Sequence, residues 1–589
     1  MRLLNKLSVV ALSISMVIAC APATQQVERQ AFDPEAETGR TVNEISYANE
    51  YMISAANPLA VDAGLAILRD GGTAIDAAIA VQAMLTLVEP QSSGIGGGAF
   101  IIYWDNDDKQ LHTIDARETA PMAATSELFL DVDGNAPRWI EAVVGGRSVG
   151  TPGVMRGLEL AHQEWGRLPW QRLFNESIAQ AERGFAVSPR LAQLIEMEIN
   201  PGLAKMPVAR DYFFPNGKPL QPGDLLTNPE LAATLRTMAE QGADALYTGD
   251  IAEDIVAAVQ NAAIQPGVLA LSDLQQYQPV LRDPVCGRYR VYTICSMGPP
   301  SSGGITMVQT MALLEPFELN TLQPNSEEAL HFFTQASRLA FADRNRYIAD
   351  EDFVEVPMLA LLAPEYIAER ATLIGGIDMG HAEAGTIAQL LRADDQSPEF
   401  QNTSHISIID QYGNAVSMTT TIEMGFGSSV MVRGFLLNNQ LTDFSLVPEV
   451  DGVLVANRVE PGKRPRSSMA PAIVFDEQGE LLHVVGSPGG PRIINYVTQT
   501  MIGLLDWNMN MQEAIDMPRI TNMNGVTSLE AGTAIVGYQE LLDARGHNVE
   551  VRALNSGLHG ITLRKGQTEN RLEGGADPRR EGAAKGDLH

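Results

Sequence analysis

Two short stretches near residue 410 set the pattern around which the chain reads. Ser404 to Ile409 alternates polar and apolar side chains, and Ala415 to Thr421 does the same, which predicts two half-buried β-strands. Asp410-Gln411-Tyr412-Gly413-Asn414 lies between them, a run of turn formers with a glycine to take positive φ. A hairpin centred on Tyr412 places Thr403 directly opposite Thr421. Opposed Cβ atoms lie about 4.5–5.5 Å apart, near enough for two hydroxyls to bond. On this stretch alone, an ordinary hairpin whose threonines serve β-propensity is the simpler reading.

Elsewhere the apolar spacing predicts mostly helices. Asn57-Pro58 opens one and Gly71-Gly72 ends it. Thr73 caps a second, in which Ile75, Ile79, Ala83 and Leu87 share a face until Glu89-Pro90 stops it. Gly94-Ile95-Gly96-Gly97-Gly98 then precedes Ala99-Phe100-Ile101-Ile102-Tyr103, a strand. A dinucleotide fingerprint needs a helix there, so these glycines are read as letting the backbone approach another strand or a ligand. Helices from about Pro189 to Ala263, and from Ser326 to Tyr347, are read as packing. Gly489-Gly490 precedes a helix from Ile493 to Leu505 and is either a plain helix entry or a pair of N–H groups facing a developing oxyanion.

Composition narrows the class. The 589 residues are 45% hydrophobic and 19% charged, as in soluble globular proteins, and no internal repeat is visible. A net charge of −31 gives a surface that repels nucleic acid and anionic headgroups. At the N-terminus, Arg2 and Lys6 precede the apolar run Leu7 to Ile18, too short to span a bilayer comfortably. It ends in Val17-Ile18-Ala19-Cys20, which resembles a bacterial lipobox. Residues 1–20 are therefore read as a lipoprotein signal ending at a lipidated Cys20, with a secretory signal cut elsewhere as the alternative. Residues 21–46 are read as a flexible tether, which places the protein in the periplasm or at the cell surface on a lipid anchor. Cys286 and Cys295 flank a segment that turns at Arg290-Val291. In an oxidising compartment they form a disulfide if the geometry allows, and otherwise remain core thiols. The nine histidines are scattered, no metal-ligand cluster stands out, and no cofactor is expected.

Asn402-Thr403-Ser404-His405, Asp410, Gly413-Asn414-Ala415-Val416 and Thr419-Thr420-Thr421 together resemble the processing site of the γ-glutamyltransferases. These are N-terminal-nucleophile hydrolases that cut their own precursor before a threonine. The likeness continues through Leu436-Leu437-Asn438-Asn439-Gln440, Asp443-Phe444-Ser445, Lys463 to Met469 and Gly486-Ser487-Pro488-Gly489-Gly490. It reaches back to Ser93 to Gly98 and to Asp115-Ala116-Arg117-Glu118. It implies an α+β fold, a four-layer αββα sandwich built from two autocleaved fragments, 47–402 and 403–589, interleaved in one domain.

By that resemblance Thr403 is the nucleophile, Asn402 the residue before the cut, and Thr421 orients the new terminus. Gly489 and Gly490 form the oxyanion site. Arg117 with Ser467 and Ser468 holds the substrate α-carboxylate, although from position alone Arg117 reads as a local salt bridge. Gln440 and Asp443 hold the α-ammonium. A free α-amine, with pKa near 7.7–8.0, supplies the base that an alcohol nucleophile lacks, which is why the nucleophile has to be N-terminal. Glu423 departs from the pattern, since well-known members carry Asn there; in a continuing strand it would share Thr421's face. The implied activity is cleavage of γ-glutamyl amides such as glutathione through a Thr403 ester, resolved by water or by an amino acid or peptide. Two rivals stand: a cephalosporin or glutaryl acylase on the same fold, and a non-catalytic lipid-anchored binding protein. Retention of Asp443 speaks against the first, and intact Thr403 and Thr421 against the second.

Overall fold

The computed structural model describes residues 41–387, 390–395, 397, 402–567, 569 and 571–589. Cys20, the 1–20 signal and the tether up to residue 40 lie outside the described residues.

Two seven-stranded antiparallel sheets form the centre. One runs in the order Ala583–Gly586, Met52–Ala55, Ser404–Ile409, Ala415–Thr421, Gly98–Asp105, Gln110–Ala116, Val280–Arg282. The other runs Ser46–Ala48, Leu572–Ala576, His559–Leu563, Leu481–Gly486, Ala472–Phe475, Tyr292–Ser296, Val285–Tyr289. Each sheet pairs strands from before residue 402 with strands from after it, so both halves of the chain share one core.

Helices cover the outer faces. Asn57 accepts the Leu59 N–H at 2.9 Å and caps Pro58–Arg69, and Thr73 with Asp76 makes a capping box at the start of Ala74–Val88. These helices share a core with Ile53, Ile101, Ile406, Ile408, Val416 and Met418 of the first sheet. Gly303–Leu314, Glu327–Tyr347 and Arg492–Leu505 pack on the second sheet over Ile294, Val474 and Val485. Between the sheets lie Met52, Ile102, Trp104, Ile409, Ile473, Phe475, Val484 and Ile561. The order helix, sheet, sheet, helix is the expected αββα sandwich.

The expectation of half-buried hairpin strands is corrected. Ser404–Ile409 and Ala415–Thr421 are the predicted strands, but every residue in them is buried. Their polar face meets the second sheet rather than solvent. An unpaired buried polar group costs about 1–3 kcal/mol, so this face holds only if its members are bonded. They are. His405 Nδ1 lies 2.9 Å from Thr419 Oγ1, Ser407 donates to the His559 carbonyl at 3.1 Å, and Ser417 accepts the Ala472 N–H at 3.0 Å.

The tether is shorter than expected. Thr41 donates its N–H to the Pro578 carbonyl at 2.8 Å and Asn43 donates to the Ala576 carbonyl at 3.0 Å, while Ser46–Ala48 pairs with Leu572–Ala576. Residues 41–46 are therefore bound to the body, because they continue toward an edge strand. Cys286 and Cys295 face each other in the hairpin that turns at Arg290-Val291 and are joined as a disulfide.

Candidate active site

The hairpin register pairs Ser404 with Thr420, which puts Thr403 opposite Thr421 at the open end of the strands. Alternation makes their side chains, like His405 and Thr419, point between the two sheets. There the second sheet has ended at Gly486, and Ser467, Ser468 and the Gly489-Gly490 turn approach. A small concavity results, lined by Arg117, Thr403, Thr421, Glu423, Gln440, Asp443, Ser467, Ser468 and Gly490, with Met469 and Ile493 as its apolar wall. Residues from strand ends, loops and a helix start far apart in sequence thus meet in one concavity.

The expected Thr403–Thr421 hydroxyl pair takes another form in this uncut chain. Glu423 donates its N–H to Thr421 Oγ1 at 2.7 Å, and Thr421 donates its hydroxyl to the Asn402 carbonyl at 2.8 Å. A hydroxyl has one proton to give, so Thr421 is oriented as a donor to the Asn402 carbonyl. Polarising that carbonyl is what attack by the neighbouring Thr403 oxygen requires.

Glu423 reaches the pocket by a route that strand periodicity does not predict. The strand stops at Thr421, and Glu423 adopts φ 79° with its side chain in the pocket wall. That conformation is costly for a residue with a Cβ and easier for Asn, the residue found in well-known relatives. The departure from the family pattern is thus a departure at a turn position.

Arg117 is 1% exposed and ends the strand Gln110–Ala116. Its Nη2 makes a close ion pair with Asp443 Oδ2, and Gln440 Nε2 donates to the same oxygen at 2.7 Å. Arg117 also donates to the carbonyls of Pro465 at 3.2 Å and Arg466 at 2.9 Å, the residues leading into Ser467. The close partner is thus not a neighbour in sequence, as a local salt bridge would have it; Glu118 Oε2 lies 3.8 Å from Nη1. Arg117 is in a buried ion pair whose anion is the residue expected to meet an ammonium. Glu118 is fully buried beside it, and burial pushes its carboxyl up to about 8, so it adds little negative charge at neutral pH.

Both serines line the pocket, and each hydroxyl accepts a hydrogen bond. Met469 gives its N–H to Ser467 Oγ at 3.1 Å, and Arg344 Nη2 donates to Ser468 Oγ at 2.6 Å. Arg344 also donates to Ser302 Oγ at 2.8 Å, and Ser302 in turn holds the Ser467 carbonyl at 2.7 Å. Reading Glu327–Tyr347 as packing missed Arg344. The one signal was a charged residue at the end of a helix buried for most of its length.

Gly489 and Gly490 take φ 137° and 51°, and their carbonyls accept the N–H groups of Arg492 and Ile493, both at 3.1 Å. The helix Arg492–Leu505 starts there, and Gly490 and Ile493 bring its N-terminal end to the pocket wall. The pocket wall contains no residue of 444–466. Among the described residues, no group of three or more His, Cys, Asp or Glu is placed to hold a metal ion.

Comparison with known proteins gives a consistent result. A family model described as gamma-glutamyltranspeptidase matches residues 60–587. The glutathione hydrolase proenzyme of Bacillus subtilis (strain 168) is 37% identical over 557 residues, covering 92% of this chain and 92% of that protein. The acylase ACY 1 proenzyme of Pseudomonas sp. (strain SE83) is 35% identical over 510 residues, covering 85% of this chain and 87% of that one. The crystal structure of a cephalosporin acylase from Bacillus halodurans superposes with a TM-score of 0.81 at 28% identity, covering 94% of this chain and 98% of that chain.

Proposed function

The chain belongs to the gamma-glutamyltranspeptidase family, and from that membership we propose a γ-glutamyltransferase and glutathione hydrolase that activates itself by cutting before Thr403. The observation that carries the reading is one pocket holding Thr403, Thr421 and a buried Arg117–Asp443 pair. A γ-glutamyl group ends in a carboxylate and an ammonium on one carbon. A cation and an anion side by side are its electrostatic complement.

Self-cleavage comes first. The Thr403 oxygen attacks the Asn402 carbonyl carbon while Thr421 hydrogen-bonds its oxygen. The C–N bond breaks, the hydroxyl proton ends on the new amine, and water cleaves the resulting ester to release the Asn402 carboxylate. The products are a large fragment that ends at Asn402 and a small fragment of residues 403–589.

In turnover, the free amine takes the Thr403 hydroxyl proton as the oxygen attacks the donor's γ-carbonyl. The N–H groups at Gly489 and Gly490 receive the developing oxyanion, and the proton passes to the departing amine. Arg117, Ser467 and Ser468 grip the α-carboxylate, and Asp443, Gln440 and Glu423 surround the α-ammonium. Water or the amine of an amino acid or peptide then resolves the γ-glutamyl ester.

The acylase relatives make donor choice the point to test. Purified processed protein is assayed on γ-glutamyl and glutaryl anilides side by side, and faster release from the glutaryl substrate would overturn the reading. Export and a lipid on Cys20 complete the proposal, supported by the Val17-to-Cys20 run. Palmitate labelling of the large fragment, lost in Cys20→Ser, tests it; an unlabelled wild-type protein refutes it. No helix among the described residues is long and apolar enough to cross a membrane.

A further inference from the structure

Asn402 and Thr403 are neighbours whose side chains leave the chain on opposite faces. Thr403 faces the substrate pocket, whereas Asn402 is fully buried against the loop that follows the helix Ala74–Val88. Its carboxamide meets a matched pair of partners there. Ser92 donates its hydroxyl to Asn402 Oδ1 at 2.9 Å, and Asn402 Nδ2 donates to the Gln91 carbonyl at 2.7 Å. A backbone carbonyl only accepts, so the amide has one orientation.

The partners are themselves fixed. The Gln91 carbonyl also accepts the Phe426 N–H at 3.1 Å, the Ser92 carbonyl accepts the Ile422 N–H at 3.3 Å, and the Ser92 N–H donates to the Glu89 carbonyl at 2.9 Å. Ile422 and Phe426 bracket the turn whose Glu423 N–H orients the Thr421 hydroxyl. The scissile peptide is thus held by Thr421 on the Asn402 carbonyl and by the amide clamp behind it. Arg580 Nη1 adds a contact to the Thr403 carbonyl at 3.4 Å.

We propose that Ser92 and the Gln91 carbonyl form a recognition site for the carboxamide of the residue preceding the nucleophile, making Ser92 and Asn402 positioning residues for self-cleavage. The inference rests on the self-cleaving reading above. The acyl shift needs the Asn402 carbonyl carbon presented to the Thr403 oxygen along a narrow approach, and a side chain anchored at both ends removes the rotation that would spoil it. A side chain with one donor and one acceptor at this reach satisfies both partners, as a primary amide does and an ionised carboxylate does not. The clamp lies on the far side of the strand from the pocket, so it selects what is cut rather than which donor is bound.

The full chain is produced by cell-free synthesis, and conversion to the two fragments is followed by pulse-chase on denaturing gels. Ser92→Ala, Asn402→Leu and Asn402→Asp each slow conversion by about 10- to 100-fold, the range expected when a reacting group is slightly misplaced. Ser92→Thr, which keeps the hydroxyl, stays near the wild-type rate. The double variant Ser92→Ala/Asn402→Leu is no slower than the slower single one, because both remove the same contact. A purely structural role for either residue would instead lower the thermal midpoint of the uncut chain and give additive rates. Wild-type speed in Ser92→Ala and Asn402→Leu, or additivity in the double variant, overturns the clamp. Wild-type speed in Asn402→Asp alone overturns its Gln91 half. A wild-type chain that is never cut at 402–403 overturns the self-cleaving reading itself, a distinguishable result.

Discussion

Asp443→Asn tests the proposed ammonium site most directly, and the structure alters what it should do. Asp443 Oδ2 accepts from both Arg117 and Gln440. Removing its charge therefore loosens the proposed carboxylate grip as well as the ammonium grip. Breaking one side of a buried ion pair costs about 3–5 kcal/mol, so some loss of stability and of activity on any donor is expected. That shared loss is removed by comparing two donors. A γ-glutamyl anilide and a glutaryl anilide both carry the distal carboxylate, and they differ by the ammonium alone. A hydrogen bond to a charged group is worth about 1.5–3 kcal/mol, so the γ-glutamyl to glutaryl ratio of kcat/KM should fall by about 10- to 150-fold. Steady-state kinetics on both anilides, normalised to the amount of processed small fragment, gives the ratio. An unchanged ratio, with both substrates losing equally, would show that Asp443 serves the fold and Arg117 only, and the ammonium site would be abandoned.

Thr403→Ala should leave a single uncut chain without amidase activity, seen on a denaturing gel; a chain still split at 402–403 would remove Thr403 as the nucleophile. Arg344→Met should raise KM for γ-glutamyl donors by about 10-fold with a smaller effect on kcat, since it frees Ser468 from its orientation; an unchanged KM refutes that role. His483, 6% exposed and bonded to Thr562 at 2.9 Å, has its pKa pushed down to about 3 by burial. The unfolded chain binds the proton near pH 6.5 and the folded chain does not, so stability is lost as pH falls from about 6.5 towards 3. Between pH 7 and 5 the wild type should lose about 2 kcal/mol relative to His483→Gln in denaturant titrations, and parallel curves would refute the assignment.

Local chemistry determined a good deal of this protein from sequence alone. Period-two alternation and a glycine turn fixed the hairpin and its register, so the opposition of Thr403 and Thr421 followed from counting residues. The caps at Asn57 and Thr73 and the glycine run before a strand were likewise short-range matters. The motifs also supplied every polar residue of the pocket wall, because each sits in a compact segment of its own. Tertiary structure decided the rest. Alternation predicts which residues share a face, but what covers that face depends on strands more than 60 residues away, so a hairpin that alternation makes half-buried has its polar side in the seam between two sheets. Glu423 enters the pocket through a single positive φ that breaks the period on which its placement was argued. Arg344 and Ser92 act through hydrogen bonds to partners 124 and 310 residues distant, and no pattern along the chain encodes such a meeting. The pairing of Arg117 with Asp443 across 326 residues is of the same kind: composition put both charges in the chain, and only tertiary folding brought the turn Gln440–Asp443 against the end of the strand Gln110–Ala116.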